Sequence, residues 1–196
     1  MNTNNSTMTA KSNIRLFGST RVLVISSLLA AMSIVLGKYL QIPIGDSIRI
    51  SFENLPILMA GIFFGPFVGA FTGIAADLIG CFMKGYAVNP IITCGAACIG
   101  FISGAVYRNF FKDREFPRVT TAIMSAHIIG SMIVKSLGLV KYYHTPMSVI
   151  AWRVPLYIII GIAETAAIYT LLSNKAFMAE LERVTKNDLF RSKKIS

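Results

Sequence analysis

The sequence predicts an all-α integral membrane protein with six transmembrane helices and both termini in the cytoplasm. Of the 196 residues, 54% are apolar and only 14% are charged, and the mean hydropathy is +0.63. Soluble domains carry about 25% charged residues, so the composition excludes that class. The apolar residues also form charge-poor windows of roughly the 20 residues that a membrane-spanning helix needs. Lys and Arg residues flank these windows, as is typical of a multi-pass protein of the cell membrane.

Charge and motifs argue against several other classes of protein. The chain has 19 Lys and Arg residues against 9 Asp and Glu, a formal net charge of +10. Because the cations border apolar segments, anionic lipid explains them better than nucleic acid does. The three cysteines form no even-numbered disulfide framework. No Walker A, dinucleotide-binding or nucleophile motif supports an enzyme or a cofactor, so an ATP-driven role would need other subunits.

The first predicted helix covers residues 22–40 and follows a polar N-terminal segment, residues 1–20. That segment lacks an apolar core ending in a small-residue cleavage site, so we do not expect a signal peptide. We predict that the segment stays in the cytoplasm and that the helix after it stays in the membrane.

The second apolar window, residues 55–83, is too long for one ordinary span and short for two. Gly65 and Pro66 lie near its middle, where proline removes a backbone donor and glycine favours a turn. We therefore predict two short or tilted helices joined at residues 64–67.

Three further windows bring the predicted count to six, at residues 90–107, 119–140 and 149–172. A charged segment, residues 108–118, and a polar one, residues 141–148, separate them. With six spans, the charged segment and the basic C-terminal tail lie together in the cytoplasm. Five spans would place both outside, against the bias of short cytoplasmic loops toward Lys and Arg.

Six cations fall instead in outer loops or the outer thirds of helices: Lys38, Arg49, Lys84, Lys135, Lys141 and Arg153. Three acids share that side: Asp46, Glu53 and Asp77. The positive-inside rule disfavours these cations, so they need another explanation. An outward-facing pocket for an anionic ligand supplies one.

Ionisable side chains within a bilayer cost at least a few kcal/mol, so those inside the predicted helices are functional candidates. Asp77, Lys135 and Arg153 lie in the outer parts of their helices, where either a structural ion pair or ligand binding explains them. Glu164 lies deeper, and we predict a structural hydrogen bond for it. We make the same prediction for His127.

Three other side chains allow two interpretations each. Trp152 lies at the predicted outer boundary, where it fits either an interfacial aromatic belt or a stack on a planar ligand. Cys94 and Cys98 lie four residues apart on one helical face, a spacing that two metal ligands share. With no His or carboxylate near them in sequence, we predict packing residues and no metal site.

Small residues recur at a spacing of four, which lets helix backbones approach closely in lipid. One series is Gly61, Gly65, Gly69 and Gly73, and another is Ala96, Gly100 and Gly104. We interpret both series as internal packing. On the first helix, Ser26 with Ala30 and Ser27 with Ala31 form further stripes, and these serve either packing or the docking of an external partner.

The order of these features resembles the substrate-binding membrane subunits, or S components, of energy-coupling factor (ECF) vitamin transporters, and most closely the folate-type group. The motifs that carry the resemblance are Ser27-Leu-Leu-Ala-Ala31, Val35-Leu-Gly-Lys38, Arg49-Ile-Ser-Phe-Glu-Asn-Leu-Pro56, Ala60-Gly-Ile-Phe-Phe-Gly-Pro66 with Gly69, and Asp77-Leu-Ile-Gly80. The resemblance covers about residues 21–172. It implies a six-helix bundle that captures a vitamin outside and docks onto a transmembrane scaffold subunit with two cytoplasmic ATPases.

The resemblance also suggests how the chain is divided and which residues act. It implies a cytoplasmic segment (1–20), a six-helix substrate-binding domain (21–172) and a basic cytoplasmic tail (173–196). The expected substrate-binding residues are Arg49, Asn54, Asp77, Tyr86, Asn89, Lys135, Trp152 and Arg153. The expected partner-docking residues are Ser26, Ser27, Ala30 and Ala31. A carboxylate such as Asp77 suits the pterin of folate, and Arg49, Lys135 or Arg153 suits its dicarboxylate tail.

Two alternatives stay open at this point. The segment Ala87-Val-Asn89-Pro90 departs from a pattern common among folate-type relatives. An S component for riboflavin, pantothenate or a pyridoxine-like vitamin therefore remains the rival interpretation of the substrate. A self-sufficient proton-coupled transporter would use Asp77, His127 or Glu164, but such proteins usually carry internal repeats, and no convincing repeat is seen here.

Overall fold

The computed structural model describes residues 19–44, 48–110 and 114–191. The predicted N-terminal segment, Lys11 and Arg15 with it, lies almost entirely outside this range, as does Asp46. The helices are α1 (Thr20–Lys38), α2 (Asn54–Phe64), α3 (Pro66–Lys84), α4 (Pro90–Asn109), α5 (Glu115–Ala126), a π-helical segment π1 (His127–Lys135), α6 (Ser136–Tyr143), α7 (Met147–Ser173) and α8 (Lys175–Arg191).

Five of the described helical runs are long and apolar enough to cross a membrane. They are α1, α3, α4, the continuous run from Glu115 to Tyr143, and α7. The predicted membrane architecture of long apolar helices is therefore confirmed, with five such runs among the described residues where six spans were predicted. The α2 helix is apolar but has only 11 residues, so it falls short of the length of a full span.

The predicted break in the second apolar window is confirmed at Gly65. Its backbone φ is +104°, a value that glycine adopts readily and other residues rarely do. Pro66 then opens α3 at a position where a missing backbone N–H costs nothing. The guanidinium of Arg108 packs over Gly65, since a Cβ added there would lie 2.6 Å from its Nη2 atom. The turn between α2 and α3 therefore has space for glycine alone.

Two short strands depart from the all-α prediction. The segment between α1 and α2 holds β1 (Ile42–Ile44) and β2 (Ile48–Ile50), which pair antiparallel with Ile42 opposite Ile50. The β-branched isoleucines of this segment favour extended backbone. A count of apolar helical windows does not register that preference. We call the end of the bundle that carries this hairpin the hairpin end.

Close helix packing follows the small-residue series that the sequence predicts. A Cβ on Gly100 would lie 2.1 Å from the carbonyl oxygen of Gly69, and a Cβ on Gly73 would lie 2.3 Å from that of Ala96. Across α2 and α4, a Cβ on Gly61 would lie 2.3 Å from the carbonyl oxygen of Gly100. The backbones of α2, α3 and α4 are thus in direct contact, which explains why larger residues are absent from this seam.

The C-terminal helix α8 packs on the bundle at the end opposite the hairpin. Phe177 lies 5.4 Å from Phe63, measured between ring centres, and Leu181 and Val184 also contact the core. Residues 173–196 were predicted to form a basic tail, and the described part of it is a helix with one apolar face against α1 and α2. Lys193 and Lys194 lie outside the described residues.

Candidate functional site

A cavity of about 660 Å³ opens at the hairpin end of the bundle. The C-terminal end of α1, the segment before α2, α3, the α3–α4 connection, α6 and α7 all contribute to its wall. Its size lies within the usual range of about 300–1,000 Å³ for small-molecule sites. Its charged lining residues are Lys38, Glu53, Asp77 and Arg153, two cations and two acids. Such a lining suits a ligand that has both an anionic part and hydrogen-bond donors.

Arg153 brings a half-buried cation into this cavity from the first turns of α7. Its Nη2 donates to the hydroxyl oxygen of Tyr157 at 3.0 Å, and its guanidinium carbon lies 5.3 Å from the centre of the Tyr157 ring. Among the described residues, no carboxylate lies within ion-pair distance of it. Arg153 is therefore oriented by an aromatic neighbour, and its guanidinium makes no direct ion pair with a described carboxylate.

Asp77 supplies a carboxylate from α3. The side chain is half-buried, and its Oδ2 accepts a 2.6 Å hydrogen bond from the hydroxyl of Thr93 on α4. That bond fixes the orientation of the carboxylate at the cavity wall. A carboxylate held in this way is an acceptor for the N–H groups of a ligand.

Lys135 lies behind the cavity wall, in an ion pair with Glu53. Its Nζ is 2.9 Å from Glu53 Oε1 and donates to Asn54 Oδ1 at 3.2 Å. Burial alone would raise the pKa of the Glu53 carboxyl, but the nearby Lys135 and Lys38 cations outweigh burial and hold that pKa below its ordinary value. Glu53 precedes α2, lines the cavity and carries a negative charge there. The structure therefore brings Glu53, rather than Lys135, to the cavity surface.

Two more of the predicted substrate-binding residues line the cavity, with different environments. Tyr86 is exposed, and the Lys38 ammonium lies 5.7 Å from the centre of its ring. Asn89 is buried and caps α4, because its Oδ1 accepts from the backbone N–H of Ile91 at 3.0 Å. Its Nδ2 donates to the carbonyl oxygen of Gly138 at 3.4 Å. Asn89 is thus engaged by the fold, while Tyr86 is available to a ligand.

Two other predicted residues, Asn54 and Trp152, do not line the cavity. Asn54 is only 1% exposed and holds Lys135. Trp152 is 66% exposed on the outer surface of the bundle, which favours the aromatic-belt interpretation over ligand stacking. Arg49 lies in β2 opposite Pro43, and its side chain lies outside the described part of the structure.

Several lining residues were not among the predicted site residues. The sequence analysis placed Lys38 and Glu53 among the charged residues of the predicted outer side. That placement was the sequence signal for their presence in the cavity wall. Tyr157 lies four residues after Arg153, so the two side chains share one face of α7, and this spacing would have predicted their contact. No comparable signal marks Gln41, which enters from the segment after α1.

The predicted hydrogen bonds of His127 and Glu164 are confirmed, and the two residues bond to each other. Both side chains are fully buried, with His127 Nε2 at 2.5 Å from Glu164 Oε2. His127 Nδ1 also lies 3.2 Å from the hydroxyl of Ser131. Within the described residues, no group of three or more His, Cys, Asp or Glu side chains is placed to hold a metal.

The small residues of α1 divide between two faces of the helix. Ser26 and Ala30 are buried against the bundle, whereas Ser27 and Ala31 are exposed. Leu28 is 64% exposed and flanks the exposed pair. Of the two stripes predicted for partner docking, Ser27 with Ala31 is therefore the accessible one.

Comparison with known proteins gives a family match and a similar curated protein. Residues 21–178 match the family described as "ECF transporter, substrate-specific component". The chain is 29% identical over 116 residues to "Folate transporter FolT" of Clostridium novyi (strain NT), a match that spans 57% of this chain and 62% of that protein, less than two thirds of its length.

Two solved structures are also similar. One, "Crystal structure of FolT bound with folic acid", has a TM-score of 0.63 and 25% identity, and the match covers 78% of this chain and 93% of that one. The other, "Structure and mechanism of the S component of a bacterial ECF transporter", has a TM-score of 0.58 and 22% identity over 84% of this chain and 95% of that one, and shows the shared fold.

Proposed function

This chain belongs to the substrate-specific components of ECF transporters, and on that premise we propose that it captures folate on the outer side of the cell membrane. It is a multi-pass plasma membrane protein of a family of transporter subunits, not enzymes. We propose that it delivers the vitamin within a complex of a transmembrane scaffold subunit and two cytoplasmic ATPases. The similarity to a folate transporter and to a FolT structure with folic acid supports folate over other vitamins.

The observation that carries the proposal is the mixed charge of the cavity at the hairpin end. Folate has a flat pterin with hydrogen-bond donors, a benzoyl spacer and a dicarboxylate tail. Arg153 offers the tail a cation that has no direct ion pair among the described residues. Asp77 offers the pterin amine an acceptor fixed by Thr93. A ligand with N–H donors at one end and carboxylates at the other needs an acceptor and a cation in one cavity, and this cavity has both.

The remaining roles follow from position. Tyr86 and Tyr143 line the cavity and supply ring faces for the pterin or the benzoyl group. Arg49 enters from the hairpin, where we propose that it adds a second cation for the tail. Asn54 and Asn89 are engaged by Lys135 and by the α4 N-terminus, so we assign them to the support of the site.

Direct binding tests the proposed substrate. We expect the purified protein in detergent to bind folic acid in isothermal titration calorimetry with one ligand per chain. Riboflavin, pantothenate and pyridoxine serve as matched controls, and none of them should compete. Binding of one of these vitamins with no binding of folic acid would contradict the proposal and identify a sibling S component.

We further propose that the bundle has six transmembrane helices with both termini in the cytoplasm, and that α2 and α3 are two of them, short or tilted and joined at Gly65. Cations at the end opposite the hairpin support this orientation: Arg108, Arg114, Arg118, Lys175 and Arg183. They fit the excess of Lys and Arg in short cytoplasmic loops. In this arrangement the cavity faces outward, and the divisions 1–20, 21–172 and 173–196 correspond to cytoplasmic segment, membrane domain and tail.

Cysteine labelling from each side tests this topology. In a background with Cys81, Cys94 and Cys98 replaced by serine, Ser148→Cys at the hairpin end should react with a membrane-impermeant maleimide in intact cells. Glu115→Cys at the opposite end should react only after the cells are opened. Both positions are exposed, so accessibility within the protein does not bias the comparison. External labelling of Glu115→Cys would contradict the proposed orientation.

A further inference from the structure

The Glu53 carboxylate is held at the cavity wall from several sides. Its Oε1 pairs with Lys135, and its backbone carbonyl oxygen accepts a 2.6 Å hydrogen bond from the hydroxyl of Ser33 on α1. Gly37 leaves the space for this side chain, because a Cβ there would lie 2.7 Å from Glu53 Oε2. Gly37 and Glu53 both line the cavity, and the Glu53 side chain is 30% exposed. Three residues that are distant in sequence, Lys135, Ser33 and Gly37, therefore fix the position of Glu53.

The Lys135 side chain reaches the Glu53 carboxylate by passing close to a glycine of α4. Its stem crosses α4 at Gly95, where a Cβ would lie 2.6 Å from Lys135 Cγ. The side chain is 7% exposed, and Nζ bonds to Glu53 and Asn54. Lys135 does not line the cavity, so Glu53 stands between its ammonium group and any ligand. Buried lysines require such a partner, because an unpaired buried charge is strongly disfavoured.

The ion pair with Lys135 leaves one oxygen of the Glu53 carboxylate able to accept a hydrogen bond from a ligand. Glu53 Oε1 faces Lys135, whereas Oε2 lies beside Gly37 at the cavity wall. A carboxylate accepts several hydrogen bonds, and one oxygen of Glu53 is not engaged by Lys135. An N–H donor on a planar heterocycle can bond to this free oxygen, and a charged acceptor strengthens such a hydrogen bond.

We propose that Glu53 is a ligand-binding carboxylate of the cavity and that Lys135 is the positioning residue that holds it. Resting on the proposed function, this inference assigns Glu53 to the donor edge of the pterin, beside the acceptor that Asp77 supplies. It also removes Lys135 from the cations that meet the dicarboxylate tail. The tail is then left to Arg153 and Lys38, the cations among the lining residues of the cavity.

Two ligands and three variants test this assignment. Folic acid carries the glutamate tail, and pteroic acid has the same pterin and benzoate without it. Glu53→Gln should weaken the binding of both ligands by at least roughly tenfold, since hydrogen bonds to charged groups are the stronger class. The double variant Glu53→Gln with Lys135→Gln removes both charges of the ion pair, so no unpaired buried charge disturbs folding. It should show the same loss of affinity as Glu53→Gln.

The variant Lys135→Gln separates positioning from direct contact. If Lys135 acts through Glu53, folic acid and pteroic acid lose affinity in equal proportion. A loss confined to folic acid would make Lys135 a tail ligand and overturn the proposal. Unchanged pteroic acid affinity in Glu53→Gln would overturn it as well. Failure of the unsubstituted protein to bind folic acid would instead overturn the proposed function, and this inference with it.

Discussion

Replacing Arg153 by alanine is expected to weaken the binding of folic acid by at least about tenfold. A dicarboxylate bound away from bulk water is left buried and unpaired when its cation is removed. Truncation of one partner of such a pair costs roughly 2–5 kcal/mol. Arg153 is the strongest candidate for this role, because it lines the cavity, is half-buried and bonds to the Tyr157 hydroxyl rather than to a carboxylate.

Comparison of two ligands shows which end of the vitamin Arg153 contacts. Folic acid should lose affinity in Arg153→Ala, whereas 6-hydroxymethylpterin, which has the pterin and no carboxylate, should be nearly indifferent. Asp77→Asn should weaken both ligands, because it removes a charged acceptor for the pterin that they share. Lys141→Ala is a matched control, since Lys141 is an exposed cation near the same end of the bundle and does not line the cavity. Equal losses for both ligands in Arg153→Ala would mean that the arginine supports the fold.

The architecture was predictable to the extent that it depends on local sequence. Hydropathy predicts the long apolar helices because a bilayer requires about 20 apolar residues for each. Gly65 and Pro66 predict the turn between α2 and α3 because their backbone preferences act at that point alone. The four-residue spacing of Gly69 and Gly73 on α3, and of Ala96 and Gly100 on α4, predicts close packing, since residues four apart share one helical face.

The site was predictable only in outline, because its contacts join residues that are distant in sequence. Charge counting identified an outer cluster of cations and acids, and the cavity lies there. It did not reveal that Glu53 pairs with Lys135, 82 residues away, since a sequence pattern carries no information on such a contact. Trp152 is a second example. It precedes Arg153 by one residue on α7, so its side chain points in a different direction and lies on the outer surface of the bundle instead of in the cavity.

Ala31→Trp is expected to abolish uptake by the full transporter while the isolated subunit still binds its substrate. Ser27 and Ala31 form an exposed small-residue stripe on α1, the surface that we propose docks on the scaffold subunit. Small residues let two helices approach closely in lipid, and an indole at that point holds them apart. We expect uptake of labelled folic acid by cells expressing all subunits to fall by at least roughly tenfold, as overpacking of a close interface predicts.

Two matched variants show whether that loss comes from docking. Ile159→Trp places the same indole on α7, at a position that is 66% exposed, and should leave uptake unchanged. Ala30→Trp places it one residue away on α1, where the side chain is buried, and should damage the bundle and therefore substrate binding as well. Docking is the cause only if Ala31→Trp retains folic acid binding in detergent and fails to co-purify with the scaffold subunit. Normal uptake in Ala31→Trp would show instead that the stripe faces lipid, since an exposed indole is tolerated there.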